Sequence, residues 1–298
     1  MARARAALDG LSVGDAFGER FFAPLSIVMG LVEQRALPRP PWEYTDDTQM
    51  ALSIVEVLRR FDGIDQDALA RSFADHFELA RGYGPAMYRL LPAIRRGEPW
   101  RETARALFAG QGSFGNGAAM RIAPLGAYFA DDPPAAVDHA RCSAEVTHAH
   151  PEAAAGAIAV AAAAAAAARS QGTRPPAPRD LLDAIASQVP ASAVRDGIER
   201  ARDLPPDAAV ETAAATLGNG GRVTAQDTVP FVLWSATRHL GDYEAALWAT
   251  VRAFGDVDTN CAMVGGVVAS YTGSEGIPPE WLRAREPLPA WVLADSEG

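Results

Sequence analysis

The chain of 298 residues carries 37 acidic against 27 basic residues, a formal net charge of -10, and every basic residue is an arginine. Without lysine there is no Schiff-base chemistry and no phosphate-loop amine, and an acidic chain is poorly suited to tracking nucleic acid. The two cysteines, Cys142 and Cys261, lie in apolar stretches and are too few for a disulfide framework, so buried thiols in a reducing cytoplasm are expected.

Residues 1–18 begin with arginines, lack a long apolar stretch and meet Asp9 early, which argues against a signal peptide. After Thr48 the apolar Met50, Ala51, Ile54, Val55, Leu58 and Phe61 recur at steps of three and four, predicting a helix with one buried face. Residues 67–79 repeat the pattern through Ala68, Leu69, Phe73 and Phe77. Segments 86–96, 119–129, 152–169, 180–188, 229–240, 243–254 and 260–271 read the same way, separated by Gly- and Pro-bearing connectors at 81–85, 172–176 and 217–221. The run 153–168 is apolar for 16 residues but mostly alanine, too short and too weakly hydrophobic to span a bilayer. It suits a central helix whose small side chains let neighbours approach closely, and compositional drift toward alanine explains it equally well. No alternating strand pattern persists, so the expected fold is all-α. Residues 170–179 form the best linker candidate. Composition does not shift across them, so one domain, 1–298, is expected, and the lack of a heptad seam suggests a monomer with no membrane association.

Chemistry concentrates at helix starts. Thr45-Asp46-Asp47-Thr48 precedes the first amphipathic helix, where N-capping alone would account for Thr and Asp. Asp256-Val257-Asp258-Thr259 repeats that chemistry 210 residues later, counting from Asp46 to Asp256. Four carboxylates and two hydroxyls brought together would repel unless cations neutralised them, and an all-oxygen donor set suits Mg²⁺ or Mn²⁺ over zinc or copper. A third cluster, Gly112-Ser113-Phe114-Gly115-Asn116-Gly117-Ala118-Ala119-Met120-Arg121, is a glycine-rich turn whose N–H groups suit phosphate oxygens, though any tight turn before a helix looks similar. Arg121 could meet an anion, but within a helix it more often pairs with a carboxylate. Thr147-His148-Ala149-His150-Pro151 hints at a metal through its H-x-H spacing, and reads more simply as a loop closed by Pro151.

Taken in order, GDAFG (14–18), YTDDTQM (44–50), GSFGNGAAMRIAPLG (112–126), VTHAHPEA (146–153) and FGDVDTNCAMVGG (254–266) resemble the ADP-ribosylglycohydrolases across nearly the whole chain. The resemblance implies an orthogonal all-α bundle with a cleft for two Mg²⁺ or Mn²⁺ ions and for an ADP-ribose conjugate. Thr45, Asp46, Asp47, Asp256, Asp258 and Thr259 fall on the family's metal-ligand positions. Ser113, Phe114, Gly115 and Asn116, with Gly117 and Met120, match the stretch that cradles ADP-ribose. His148 matches a position near the adenine-bearing end, which moves it away from metal ligation.

Two departures stand out. Val257 replaces an oxygen-bearing threonine of the second metal motif, and Phe22 occupies a place where several members carry a glutamate that assists water. Glu19, three residues earlier, is the substitute the sequence offers. The implied reaction is hydrolysis at C1 of the distal ribose, with Asp46 or Asp258 orienting or deprotonating water. Loops at 21–24 and 218–224 would recognise the acceptor, with arginine linkage slightly preferred. The alternatives are a non-catalytic crystallin-like or ADP-ribose-binding protein that keeps the fold, and a dimetal phosphoester hydrolase.

Overall fold

The computed structural model describes residues 1–293, so the last five positions of the expected domain 1–298 lie outside the described residues. Helices account for all regular structure among the described residues, with two isolated β-bridges and no strand. The chain opens with α1 (Ala2–Glu19), α2 (Leu25–Gln34), α3 (Asp46–Phe61) and α4 (Gln66–Asp75). Next come α5 (Met87–Arg95), α6 (Trp100–Arg105), α7 (Leu107–Gly110), α8 (Ala123–Tyr128) and α9 (Pro133–Glu145). The middle holds α10 (Pro151–Arg169), α11 (Pro178–Ala186), α12 (Ala193–Asp203) and α13 (Val210–Leu217). The chain then runs through α14 (Ala225–Arg238), α15 (Tyr243–Val251), α16 (Val257–Thr272), α17 (Pro279–Ala284) and α18 (Ala290–Leu293).

The alanine run lies at the centre of one packed layer of the core. In α10 every residue from 155 to 168 is buried, and α8, α9, α14 and α16 pack around it. Small residues set the spacing: a Cβ added to Gly126 of α8 would stand 2.2 Å from the Ala161 carbonyl oxygen. A larger side chain on either helix would force them apart and cost the close-packed contacts of its neighbours. By length and composition α10 could cross a membrane, yet most of it is buried within the fold.

One helix pair positions the site. α1 and α16 run antiparallel in backbone contact, with Gly10 against Gly265, Gly14 against Cys261 and Gly18 against Val257 and Asp258. An added Cβ at Gly14 would lie 2.2 Å from the Cys261 carbonyl oxygen, so glycine spaced every fourth residue is what permits the approach. Phe17, on the same helix, enters an aromatic nest and stacks on Trp281 at 4.5 Å, with Trp42 and Trp248 alongside. Burial of rings of this size fixes the rotation of α1 about its axis. That rotation aims Asp15 toward the start of α3.

The predicted helix at 119–129 is shorter than expected. Asn116–Ala118 forms a 3-10 turn and the α-helix begins only at Ala123, where Pro124 in the first turn suits a helix start. The N-terminal α1 carries no clean amphipathic stripe, being buried on nearly all sides over residues 7–18, and periodicity gives no sign of it.

Candidate active site

The first acid cluster is not a capping device. Thr45 occupies the N-cap position of α3, but its hydroxyl makes no cap bond. Its one proton is shared between Asp15 Oδ1 at 2.8 Å and Asp47 Oδ2 at 3.1 Å. Asp15 supplies the cap from a different helix: its carboxylate accepts the Thr45 and Thr48 N–H groups at 2.9 and 3.0 Å, and the Thr48 hydroxyl at 2.5 Å. With the Thr45 and Thr48 N–H groups satisfied from outside, the start of α3 leaves the Asp46 and Asp47 side chains free to face elsewhere.

The second cluster meets the first. At the start of α16 the Thr259 hydroxyl donates to Asp47 Oδ2 at 3.3 Å across 212 residues of chain. Asp256 and Asp258 likewise form no side-chain cap of the usual kind; Asp258 Oδ1 accepts the Thr259 N–H, and Asp256 Oδ2 accepts the Asn116 amide at 2.6 Å. One carboxylate oxygen from each of Asp15, Asp47 and Asp258 lies within 4.8 Å of the others. Asp15 and Asp47 are buried, whereas Asp46, Asp256 and Asp258 are partly exposed.

Five carboxylates so placed resist ionisation. Burial and the charge on Asp15 push Asp46 up to about 8. The same two causes hold Asp47 well above the usual carboxylate range, and burial with Asp256 does so for Asp258. Burial raises Asp15 and Asp256 too, against the hydrogen bonds they accept from Thr48 and from Asn116. Asp47 Oδ1 is buried with no hydrogen-bond partner. An orphaned carboxylate oxygen amid other acids could hold a cation, and an all-oxygen donor set suits a hard one.

Beside this cluster opens a cleft of about 660 Å³, lined by Asp46, Asp256, Asp258 and Thr259 and by Ser113, Phe114, Gly115, Asn116, Gly117, Met120 and His148. The glycine-rich turn is braced from the far side of the chain. Gly115 forms an isolated bridge with Thr224, the Ala225 N–H donates to the Phe114 carbonyl, and the Ser113 hydroxyl accepts the Gly115 N–H. His148 lies under the turn: an added Cβ at Gly117 would stand 2.8 Å from its ring, so glycine there makes room for the imidazole. Burial and the Arg121 charge bring His148 down to about 3, so it is a neutral packing group whose Nδ1 pairs with the Thr147 hydroxyl at 2.7 Å. His150 instead caps α10, accepting the Glu152 N–H.

Arg121 departs from the expected pairing. It is fully buried and forms no salt bridge among the described residues. The guanidinium donates to the Ser143 carbonyl at 2.8 Å and covers the Phe73 ring at 4.5 Å, and burial lowers it to about 9. Glu19 ends α1 outside the residues that line the cleft. Burial and the Asp15 charge raise its pKa, and its own charge raises Asp258, which marks it as a neighbour of the acids. Phe22 is 55% exposed and contributes nothing to the cluster.

The functional residue that motif reading passed over is Asp15. Its signal was present in the sequence: an acid between Gly14 and Ala16 in a helix whose glycines recur every fourth residue cannot avoid the buried face.

The all-α fold sets an acid-lined cleft beside a glycine-rich turn, and the comparisons with known proteins make the chain a hydrolase of glycosyl bonds. The chain belongs to the ADP-ribosylglycohydrolase family, whose sequence model matches residues 1–296. An ADP-ribosylhydrolase ARH3 of Gallus gallus is 29% identical over 96% of this chain and 89% of its own. The Homo sapiens protein of that name is 26% identical, covering 82% of this chain and 74% of its own. A protein of Archaeoglobus fulgidus, uncharacterised, is 30% identical over 92% of this chain and 88% of its own. A solved structure described as an ADP-ribosylglycohydrolase-related protein complex superposes with a TM-score of 0.67 at 26% identity, covering 96% of this chain and 92% of that one.

Proposed function

We propose that the protein removes ADP-ribose from a modified acceptor by hydrolysing the bond at C1 of the distal ribose, with two divalent cations, Mg²⁺ or Mn²⁺, in the acid cluster. The observation that carries this is the meeting of two helix starts on Asp47, which leaves its second oxygen buried and unpartnered. Thr45, Asp46, Asp47, Asp256, Asp258 and Thr259 would hold the cations, with Asp15 as a further oxygen donor that the geometry adds. When bound, such ions supply positive charge that neutralises the cluster, fixes the ribose hydroxyls and lowers the pKa of water.

The remaining work falls to the chain's own groups. Asp46, Asp256 and Asp258 are partly exposed and line the cleft; Asp256 accepts the Asn116 amide, and we assign Asp46 and Asp258 to orient the attacking water and accept its proton. Positive charge developing at C1 would be stabilised by the same acids. In the turn at Ser113 to Asn116 the Gly115 and Asn116 N–H groups are tied to the Ser113 hydroxyl and the Val223 carbonyl, which leaves those of Ser113 and Phe114 for the diphosphate, and Phe114 offers a ring face to a flat group. Holding the ligand at both ends converts its attack by water into a nearly intramolecular event. We read the protein as a cytoplasmic monomer, and arginine as the first acceptor to try.

The test is to incubate the protein with mono-ADP-ribosylated arginine, serine and DNA in Mg²⁺, in Mn²⁺ and in EDTA. Release of ADP-ribose that requires metal supports the reading. Tight binding of ADP-ribose with no turnover on any acceptor would replace it with a non-catalytic binding role.

A further inference from the structure

An acid-lined cleft is an unfavourable place for an anionic ligand. Asp46, Asp256 and Asp258 line it, and Asp15 and Asp47 stand behind them. Among the described residues lining the cleft, Arg222 is the single side chain that carries positive charge at neutral pH. Only its backbone N–H is tied, to Asp227 Oδ2 at 2.9 Å, and the guanidinium forms no hydrogen bond or salt bridge among the described residues.

The loop that presents Arg222 is built to a shape. Gly218 and Gly220 take φ of 93° and 82°, and Val223 takes φ of 55°, which a β-branched residue adopts only under constraint. The constraint is visible: the Gly220 N–H donates to the Asp227 carbonyl at 2.9 Å and the Val223 N–H to the Gly220 carbonyl at 2.7 Å. The Asn116 N–H donates in turn to the Val223 carbonyl at 3.3 Å, and Thr224 bridges Gly115. Arg222 is therefore one residue from a backbone that is bonded directly to the glycine-rich turn. Loop and turn face the same cleft.

We infer that Arg222 is a positioning and specificity residue that grips the diphosphate of the ligand against the turn formed by Ser113 to Asn116. This rests on the ADP-ribose reading above. In such a ligand the adenosine and the distal ribose are neutral, so the diphosphate is the only anionic part and the one that draws a guanidinium most strongly. The planar fork of arginine matches two phosphate oxygens at once, and its charge offsets the repulsion from the acids nearby. A neutral nucleoside gains nothing from it.

Binding of ADP, ADP-ribose and adenosine to the wild type, Arg222→Ala and Arg222→Lys, each with Mg²⁺, separates the outcomes by calorimetry. Arg222→Ala is expected to weaken ADP and ADP-ribose by about tenfold or more and to leave adenosine unchanged, because a charged hydrogen bond to phosphate is lost. Arg222→Lys should recover part of the loss, since the charge stays and the fork does not. In turnover the Ala variant should raise KM with kcat nearly unchanged. Unchanged ADP affinity in Arg222→Ala, or a parallel fall for adenosine, would overturn the assignment, the latter by showing that Arg222 only shapes the loop. A wild type that binds ADP in an Arg222-dependent way but does not bind ADP-ribose would sink the ADP-ribose reading and leave the diphosphate grip standing.

Discussion

The start of α3 is held from outside, and the start of α16 partly holds itself. Asp15 reaches across from α1 to take the N–H groups and hydroxyls of Thr45 and Thr48, so four donors converge on one buried carboxylate. At α16 the Thr259 N–H turns back onto its own neighbour Asp258, and support from other elements comes from the Asn116 amide on Asp256, the Asn219 carbonyl, which accepts the Asp256 N–H, and the Thr259 hydroxyl's bond to Asp47. Two clusters of the same residue types thus differ in what fixes them. The first depends on tertiary packing of α1, the second on a local turn and on the cradle that also lines the cleft. Disturbing the former should spread into the fold, and disturbing the latter should stay near the ligand.

The largest effect is expected where the two starts touch. Asp47→Asn should lower turnover by more than about 100-fold, beyond the loss typical of disturbing even the supports of a metal site. It should also abolish the rise in melting temperature that Mn²⁺ gives the wild type. In EDTA the same variant should melt higher than the wild type by about 2–4 °C, because an amide replaces a carboxyl that the metal-free fold must hold against ionisation. Melting curves with and without metal check both directions, and a variant destabilised in EDTA would contradict this account.

Next comes Asp15→Asn, which keeps one acceptor and loses the charge. Turnover should fall by about 10- to 100-fold, and amide exchange at Thr45 and Thr48 should quicken. Asn116→Ala should lower turnover less than Asp15→Asn while leaving exchange along α3 unchanged. Equal effects of the two on α3 would erase the contrast between the helix starts.

His148 gives a pH-dependent effect on stability. Its ring stays neutral in the fold down to about 3 but protonates near 6.5 when unfolded, so the unfolded chain binds more protons between those values. Stability is therefore lost as pH falls from about 6.5 toward 3. His148→Gln should flatten that part of the urea midpoint against pH, and an unchanged slope would remove His148 as its source. The smallest effect is reserved for Glu19→Gln, which should reduce kcat by far less than the roughly 100-fold expected of a positioned general base, since Glu19 lies outside the cleft lining.

How much of this was open to reading follows from where periodicity survives burial. α4 and α11 have one wet face and α3 has one in its last turns, and the apolar spacing there marks them as helices. α1 is buried over most of its length, so no stripe betrays it, and its Asp15 went unassigned although the residues around it were singled out as a motif. The acid-threonine pairs were legible as chemistry, because like charges in a core demand neutralisation. That they meet was not, since 212 residues separate Asp47 from Thr259 and only the packing of α16 on α1 and α3 brings them together. Arg121 was misjudged for a different reason. A buried guanidinium held by a carbonyl and an aromatic face, with its Nε left without a hydrogen-bond partner, has no salt-bridge partner in the sequence to find.

The glycine ladder of α1 has a consequence for how such a site can change. Since Gly14 and Gly18 meet the backbone of α16 with no side chain between, the gap from Asp15 to Asp258 is set by peptide units, which have no rotamers and no intermediate sizes. A methyl group at Gly14 would separate the helices in one step, so the spacing of the acids behaves like a fixed gauge that cannot be adjusted by degrees. Selectivity among ions or ligands must then be tuned at the rim, in loops such as 218–224, while the floor of the cleft stays as it is.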